Sequence, residues 1–177
     1  MVIVSIIMGL GVATLLRGTV SSLRAESSTT PGLLHALWVA NVLVQHIGLW
    51  SLRWAGERRE DWPFFVLVAF LAMPILYYAQ AEILFPPQGR RVPLTTYFIE
   101  NRRPFFALLV LSSLAAAIGP YFFYDGVQPT SGSTATYLVG GALNVPFMFI
   151  QREHLHTAWA LFMLVSQTFL FGTTAVG

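Results

Sequence analysis

The chain has 177 residues, of which 55% are hydrophobic and 10% charged, with a formal charge of +2. An ordinary soluble domain carries about a quarter charged residues, so this composition excludes that class and points to one all-α polytopic membrane domain over residues 1–177. The absence of cysteine excludes a disulfide framework, a thiolate metal site and a cysteine nucleophile, and the ten arginines lie between apolar segments, not on a nucleic-acid-binding face.

Six segments approach the ~20 residues that cross a ~30 Å hydrocarbon core as helix. They are residues 1–16, 32–54, 62–84, 104–124, 135–150 and 156–176. The first has no basic n-region and no small-residue cleavage site before Arg17, which favours a retained helix over a signal peptide. Its Ser5, Gly9 and Ala13 recur every four residues, a stripe that lets another helix approach closely in lipid. AESSTTPG, residues 25–32, reads as a loop, with Pro31 suited to a first helical turn.

Span two contains HALWVANVLVQH, residues 35–46. Eleven residues turn a helix through about 1100°, so His35 and His46 share one face about 16 Å apart, while Asn41 and Gln45 lie on another. An imidazole titrates near physiological pH, which makes His46 the candidate for proton relay and leaves His35 as an interfacial residue.

Span three opens with Asp61, Trp62 and Pro63 and carries Pro74, where a kink is expected. Glu82, at its far end, is placed to pair with Arg90, Arg91 or a nearby histidine, or to reach water. The following FPPQGRRVPLTTYFIENRR contains TTYFIEN, residues 95–101, predicted as one or two helical turns in the interface. Its Arg90, Arg91, Arg102 and Arg103 are candidates for anionic lipid head groups.

Ser112, Ser113, Ala115, Ala116, Ala117 and Gly119 predict a close-packed fourth span ending in an aromatic belt, Tyr121 to Tyr124, followed by a loop over residues 125–134. Span five is short and interrupted, with Thr136, Gly140 and Asn144 on one face and Pro146 next. If it is re-entrant, the chain has five spans.

Span six repeats part of span two: His156, Trp159, Leu164 and Val165 match His35, Trp38, Leu43 and Val44, and Gln167 falls opposite His46. In a six-span chain these two helices run the same way. His35 and His156 then share a depth, with His46 and Gln167 forming a polar seam further in. Two imidazoles at one depth are also the minimum for a b-type haem. His154 and His156 beside Glu153, together with His35 and Glu82, raise a nitrogen and oxygen metal site, although H-x-H on a helix points its rings about 200° apart. No cofactor is required, and no constellation selects a reaction: G-x-S-x-G is absent, and only Glu82, Glu100 and the histidines leave room for enzymology.

Odd loops hold seven arginines and even loops three, so the odd loops are expected to be cytoplasmic and both termini outside. The Gly9-Leu10-Gly11 step, His35-x-x-Trp38 and Glu100-Asn101-Arg102-Arg103-x-Phe105-Phe106 give a chain that resembles a family of small multi-span bacterial inner-membrane proteins with no known activity. That resemblance implies an inner-membrane location and transfers no ligand.

Polar groups left unpaired in hydrocarbon cost several kcal/mol, so His46, Gln45, Asn41, Asn144 and Gln167 need partners or a path. The expectation is a transport-class protein, forming a homo-oligomer in the bilayer, that moves a proton, ion or small solute along those residues. Two alternatives stand beside it: an accessory or assembly subunit packing against other membrane proteins, and a redox subunit binding haem b or quinone.

Overall fold

The computed structural model describes residues 2–24, 32–56, 63–87, 90, 92–123 and 131–174, and every described element is helical. The helices are α1 (Val2–Arg24), α2 (Leu33–Gly56), α3 (Phe64–Ile83), α4 (Leu94–Glu100), α5 (Arg102–Phe123), α6 (Ser131–Asn144) and α7 (Glu153–Thr174), with a 3-10 turn at Pro146–Met148. Four of them, α1, α2, α3 and α5, are long and apolar enough to cross a membrane. Large apolar side chains such as Ile3, Phe65, Val165 and Phe169 remain exposed on the outside of the bundle, which is compatible with a hydrocarbon surround.

Helix α1 runs eight residues past its expected end at Leu16. Thr19 donates to the Leu15 carbonyl and Ser22 to the Thr19 carbonyl, so these hydroxyls satisfy themselves on the helix backbone instead of opening a loop. The stripe of Ser5, Gly9 and Ala13 faces outward, with open space around Gly9; the packed face is Val4, Met8, Gly11 and Leu15. Helix α3 continues through Pro74 without a break. The TTYFIEN element forms as α4, tucking Leu94, Tyr97 and Phe98 under the bundle.

Residues 131–134, expected in a loop, already belong to α6. That helix stops at Asn144 because Pro146 has no N–H to continue the ladder, and the chain turns through Pro146–Met148 before α7. At 14 residues α6 is about 21 Å long, short of the ~30 Å hydrocarbon core. Residues 25–31, 57–62 and 124–130, among them Asp61, Trp62 and Tyr124, lie outside the described residues.

Helix α2 packs on α1 and α3 along one side and on α7 along the other; α5 lies between α3 and α6. Contacts fix the directions. The carboxyl half of α1 meets the end of α3 through Thr14 and Glu82, the start of α2 meets it through His35 and Leu84, and His156 at the start of α7 meets Phe98 of α4 and Phe106 of α5. Helices α2 and α7 are therefore parallel, and the odd connections share one face. Just inside that face sits an aromatic layer. Trp38 lies within 4.9–5.8 Å of the rings of Phe98, Phe105 and Phe106, and Phe147 stacks on both Phe106 and Trp159.

Candidate functional site

Helix α6 packs on α5 and α7 packs on α2, which leaves a cleft between α6 and α7. Its volume is about 700 Å³, and its walls are largely apolar, with Leu109, Ala116, Val139, Leu143, Phe162, Met163 and Leu170 among them. Three of the expected pathway residues, Gln45, Asn144 and Gln167, line it together with Ser112, Ser113 and Ser166. The predicted face of Thr136, Gly140 and Asn144 also lines it.

Two of the polar groups hold the cleft together. Asn144 donates to the Gly140 carbonyl at 2.9 Å, and its own carbonyl accepts the Trp159 indole N–H at 2.9 Å, tying the end of α6 to α7. Gln80 on α3, fully buried, donates at 2.8 Å to Ser112, whose hydroxyl in turn donates to the Leu108 carbonyl at 2.8 Å. By contrast, Gln45 and Gln167 make no hydrogen bond among the described residues, and the carbonyl oxygen of each is buried without a donor. As the side chains lie, the amide nitrogens are the ends open to a guest in the cleft, and rotation of either side chain would present its acceptor oxygen instead. Among the described residues, no charged side chain and no histidine lines this space.

Asn41 and His46 lie elsewhere. Asn41 donates at 2.8 Å both to Leu37 on its own helix and to the Ala160 carbonyl of α7, so it locks two helices together. His46 does not face Gln167. Its Nδ1–H donates to the Val42 carbonyl at 2.7 Å, and the ring lies against Gly11 of α1 and Tyr77 of α3. The eleven-residue spacing does put His35 and His46 on one face, but that face meets α1 and α3; the face meeting α7 belongs to Asn41 and Gln45. Gln45, not His46, lines the cleft together with Gln167.

His35, expected at the solvated interface, is buried, donating from Nε2 to the Leu84 carbonyl at 2.9 Å with its edge on Phe85. His156 is equally buried, donating from Nε2 to the Ile150 carbonyl at 2.9 Å inside a shell of Phe98, Phe106 and Phe147. Both Nε2 atoms are committed to backbone and the two rings sit in different aromatic surroundings, which does not fit a haem held between them. His154 is exposed while His156 is buried, and Glu82 accepts from Thr14 at 2.9 Å beside Tyr78, with no arginine or histidine partner among the described residues. Among the described residues no three metal-ligating groups converge.

Of the four arginines expected at lipid head groups, Arg91 lies outside the described residues. Arg90 pairs with Glu100 at 2.8 Å and lies over Tyr97, whose hydroxyl burial pushes above the usual tyrosine range. Arg103 is exposed over Phe149. Arg102, however, is buried and donates to the Ile99 carbonyl at 2.6 Å, capping the end of α4 instead of facing lipid.

Comparison with protein families, characterised proteins and solved structures gives no match to this chain.

Gln80, Tyr77, Ser112 and Trp159 are site residues that sequence reasoning missed. Gln80 left a signal, as the single amide in the third span; the others are residue types that any membrane helix contains.

Proposed function

We propose that this is an integral membrane protein of transport class that carries an uncharged, hydrogen-bonding molecule in the cleft between α6 and α7. Six helices cross the bilayer in this reading, α6 as a short crossing, with the arginine-rich face toward the cytoplasm of a bacterial inner membrane. The observation that carries it is the pair of unpartnered amides, Gln45 and Gln167, in a cavity of about 700 Å³, within the ~300–1,000 Å³ range of small-molecule sites. An ion in this space would be a buried charge without a counter-charge, which the apolar walls oppose. The expected proton or ion cargo therefore gives way to an uncharged one, and His46 is assigned to packing.

Proteoliposomes test this reading. Translocation of uncharged cargo, drawn from polyols, simple amides and sugar-headed lipids, exceeds that of protein-free vesicles for at least one class. It falls in Gly140→Leu, which fills the cleft from a position with open space around it. Equal rates with and without protein across the whole panel would sink the idea.

The outward stripe of Ser5, Gly9 and Ala13 favours a second reading, in which α1 docks on a helix of another copy or of a partner and the chain serves as an assembly subunit. Single cysteines at these positions, in a chain with none of its own, would then form intermolecular disulfides in the membrane.

A further inference from the structure

The cleft is bounded on its outer side by residues that are themselves on the outside of the bundle. Val139 and Leu143 of α6 are 58% and 48% exposed, and Phe162 and Leu170 of α7 are 55% and 51% exposed, yet all four line it. A cavity with such walls opens sideways, between α6 and α7, into the layer where lipid chains lie. It is also long: Trp159 and Leu170 both line it, and eleven helical residues span about 16 Å, roughly half the hydrocarbon core. Gln45, Ser112, Ser113 and Gln167 line it from α2, α5 and α7, Tyr77 from α3 and Thr136, Tyr137 and Asn144 from α6, while the exposed walls at Val139, Leu143, Phe162 and Leu170 are apolar.

This arrangement matches a molecule with two unlike parts. Resting on the reading of the cleft as a carrier site for uncharged cargo, we propose that its occupant is an uncharged amphiphile, a hydrocarbon chain bearing a hydroxyl-rich head such as a sugar or glycerol unit, admitted laterally from the bilayer. The head hydrogen-bonds to the Gln45 and Gln167 amides, replacing water it loses on leaving the interface. The chain lies along Val139, Phe162 and Leu170 and passes out between the helices, so it never leaves hydrocarbon. A charged head finds no partner here. A fully water-soluble molecule has no use for the apolar opening.

Trp159 supplies the readout. With the protein in lipid nanodiscs, an alkyl glucoside brominated on its chain is expected to quench saturably the share of emission due to one tryptophan in five, and Trp159→Phe should lose that component. Because that variant also loses the bond to Asn144, Gly140→Leu and the double variant Gln45→Leu, Gln167→Leu provide independent arms: the first abolishes quenching and the second weakens the apparent affinity tenfold or more. Equal saturable quenching by a brominated carboxylate of the same chain length overturns the requirement for an uncharged head. Full competition by free glucose shows that the soluble head suffices; it overturns the lateral amphiphile and leaves the carrier reading standing. Absence of quenching beyond that of Trp159→Phe overturns the proposal, and if Val139→Cys then forms an intermolecular disulfide, a second copy covers the cleft in its place.

Discussion

The imidazole of His46 rests directly on Gly11, with Nε2 in the space where any larger residue would begin its side chain. Nδ1–H is fixed by the Val42 carbonyl, so the ring has no freedom to withdraw. Gly11→Ala is therefore expected to separate α1 from α2 and lower stability by about 1–3 kcal/mol, as overpacking does in a close-packed interior. Gly9→Ala, with open space around it, leaves stability unchanged or slightly improved. Thermal unfolding of both variants in the same detergent checks the contrast, and equal midpoints would count against the observed orientation of α1.

A second pair of glycines separates cavity from contact. A methyl added at Gly140 meets nothing, whereas at Gly141 it would stand 2.9 Å from the Ser113 side chain of α5. Gly140→Ala should be tolerated and Gly141→Ala should destabilise, by about 1 kcal/mol or more if α5 cannot yield. Denaturation midpoints that rank the two the other way would place the cleft on the wrong side of α6.

Asn144 and Trp159 should behave as a coupled pair. In a double-mutant cycle of Asn144→Leu and Trp159→Phe, the coupling energy is expected near the ~0.6 kcal/mol average for interhelical bonds in membranes, and no more than about 1.7. A coupling indistinguishable from zero would mean that the 2.9 Å bond does not hold α6 to α7.

Removing Asn41 leaves the Ala160 carbonyl without its side-chain donor and weakens the α2–α7 contact. Asn41→Ala should lose about 0.5–1.5 kcal/mol and leave translocation of cargo by the folded protein within about twofold, since Asn41 does not line the cleft. A loss of translocation with stability intact would return Asn41 to the pathway.

The sequence made the helices legible where one strong signal acted alone. Runs of apolar residues located α2, α3 and α5 to within a few positions, whereas span five, expected to reach Ile150 despite its interruption, ends as a helix at Asn144, two residues before Pro146. Boundaries failed where charge decided: Arg17 bounds the apolar first span at Leu16, yet α1 runs on to Arg24, with the Thr19 and Ser22 hydroxyls bonding backward along it. Periodicity also separated the faces of α2, placing His35 and His46 apart from Asn41 and Gln45. It had no means of saying which face meets which neighbour, so His46 was aimed at Gln167 and His35 at solvent. That choice depends on Gly11 admitting a ring and on the turn between α3 and α4 offering a carbonyl to His35, which are tertiary facts. The cleft itself was invisible, because it arises from α6 packing on α5 and α7 on α2.

The bond from Asn41 to Ala160 joins residues 119 positions apart. During synthesis, α2 emerges well before α7, and its Asn41 amide has no interhelical partner until Ala160 has left the ribosome. A nascent chain stopped before Glu153 lacks one side of the cleft and the carbonyl that Asn41 needs, and its exposed amide would be a feature by which quality-control factors distinguish unfinished copies from finished ones.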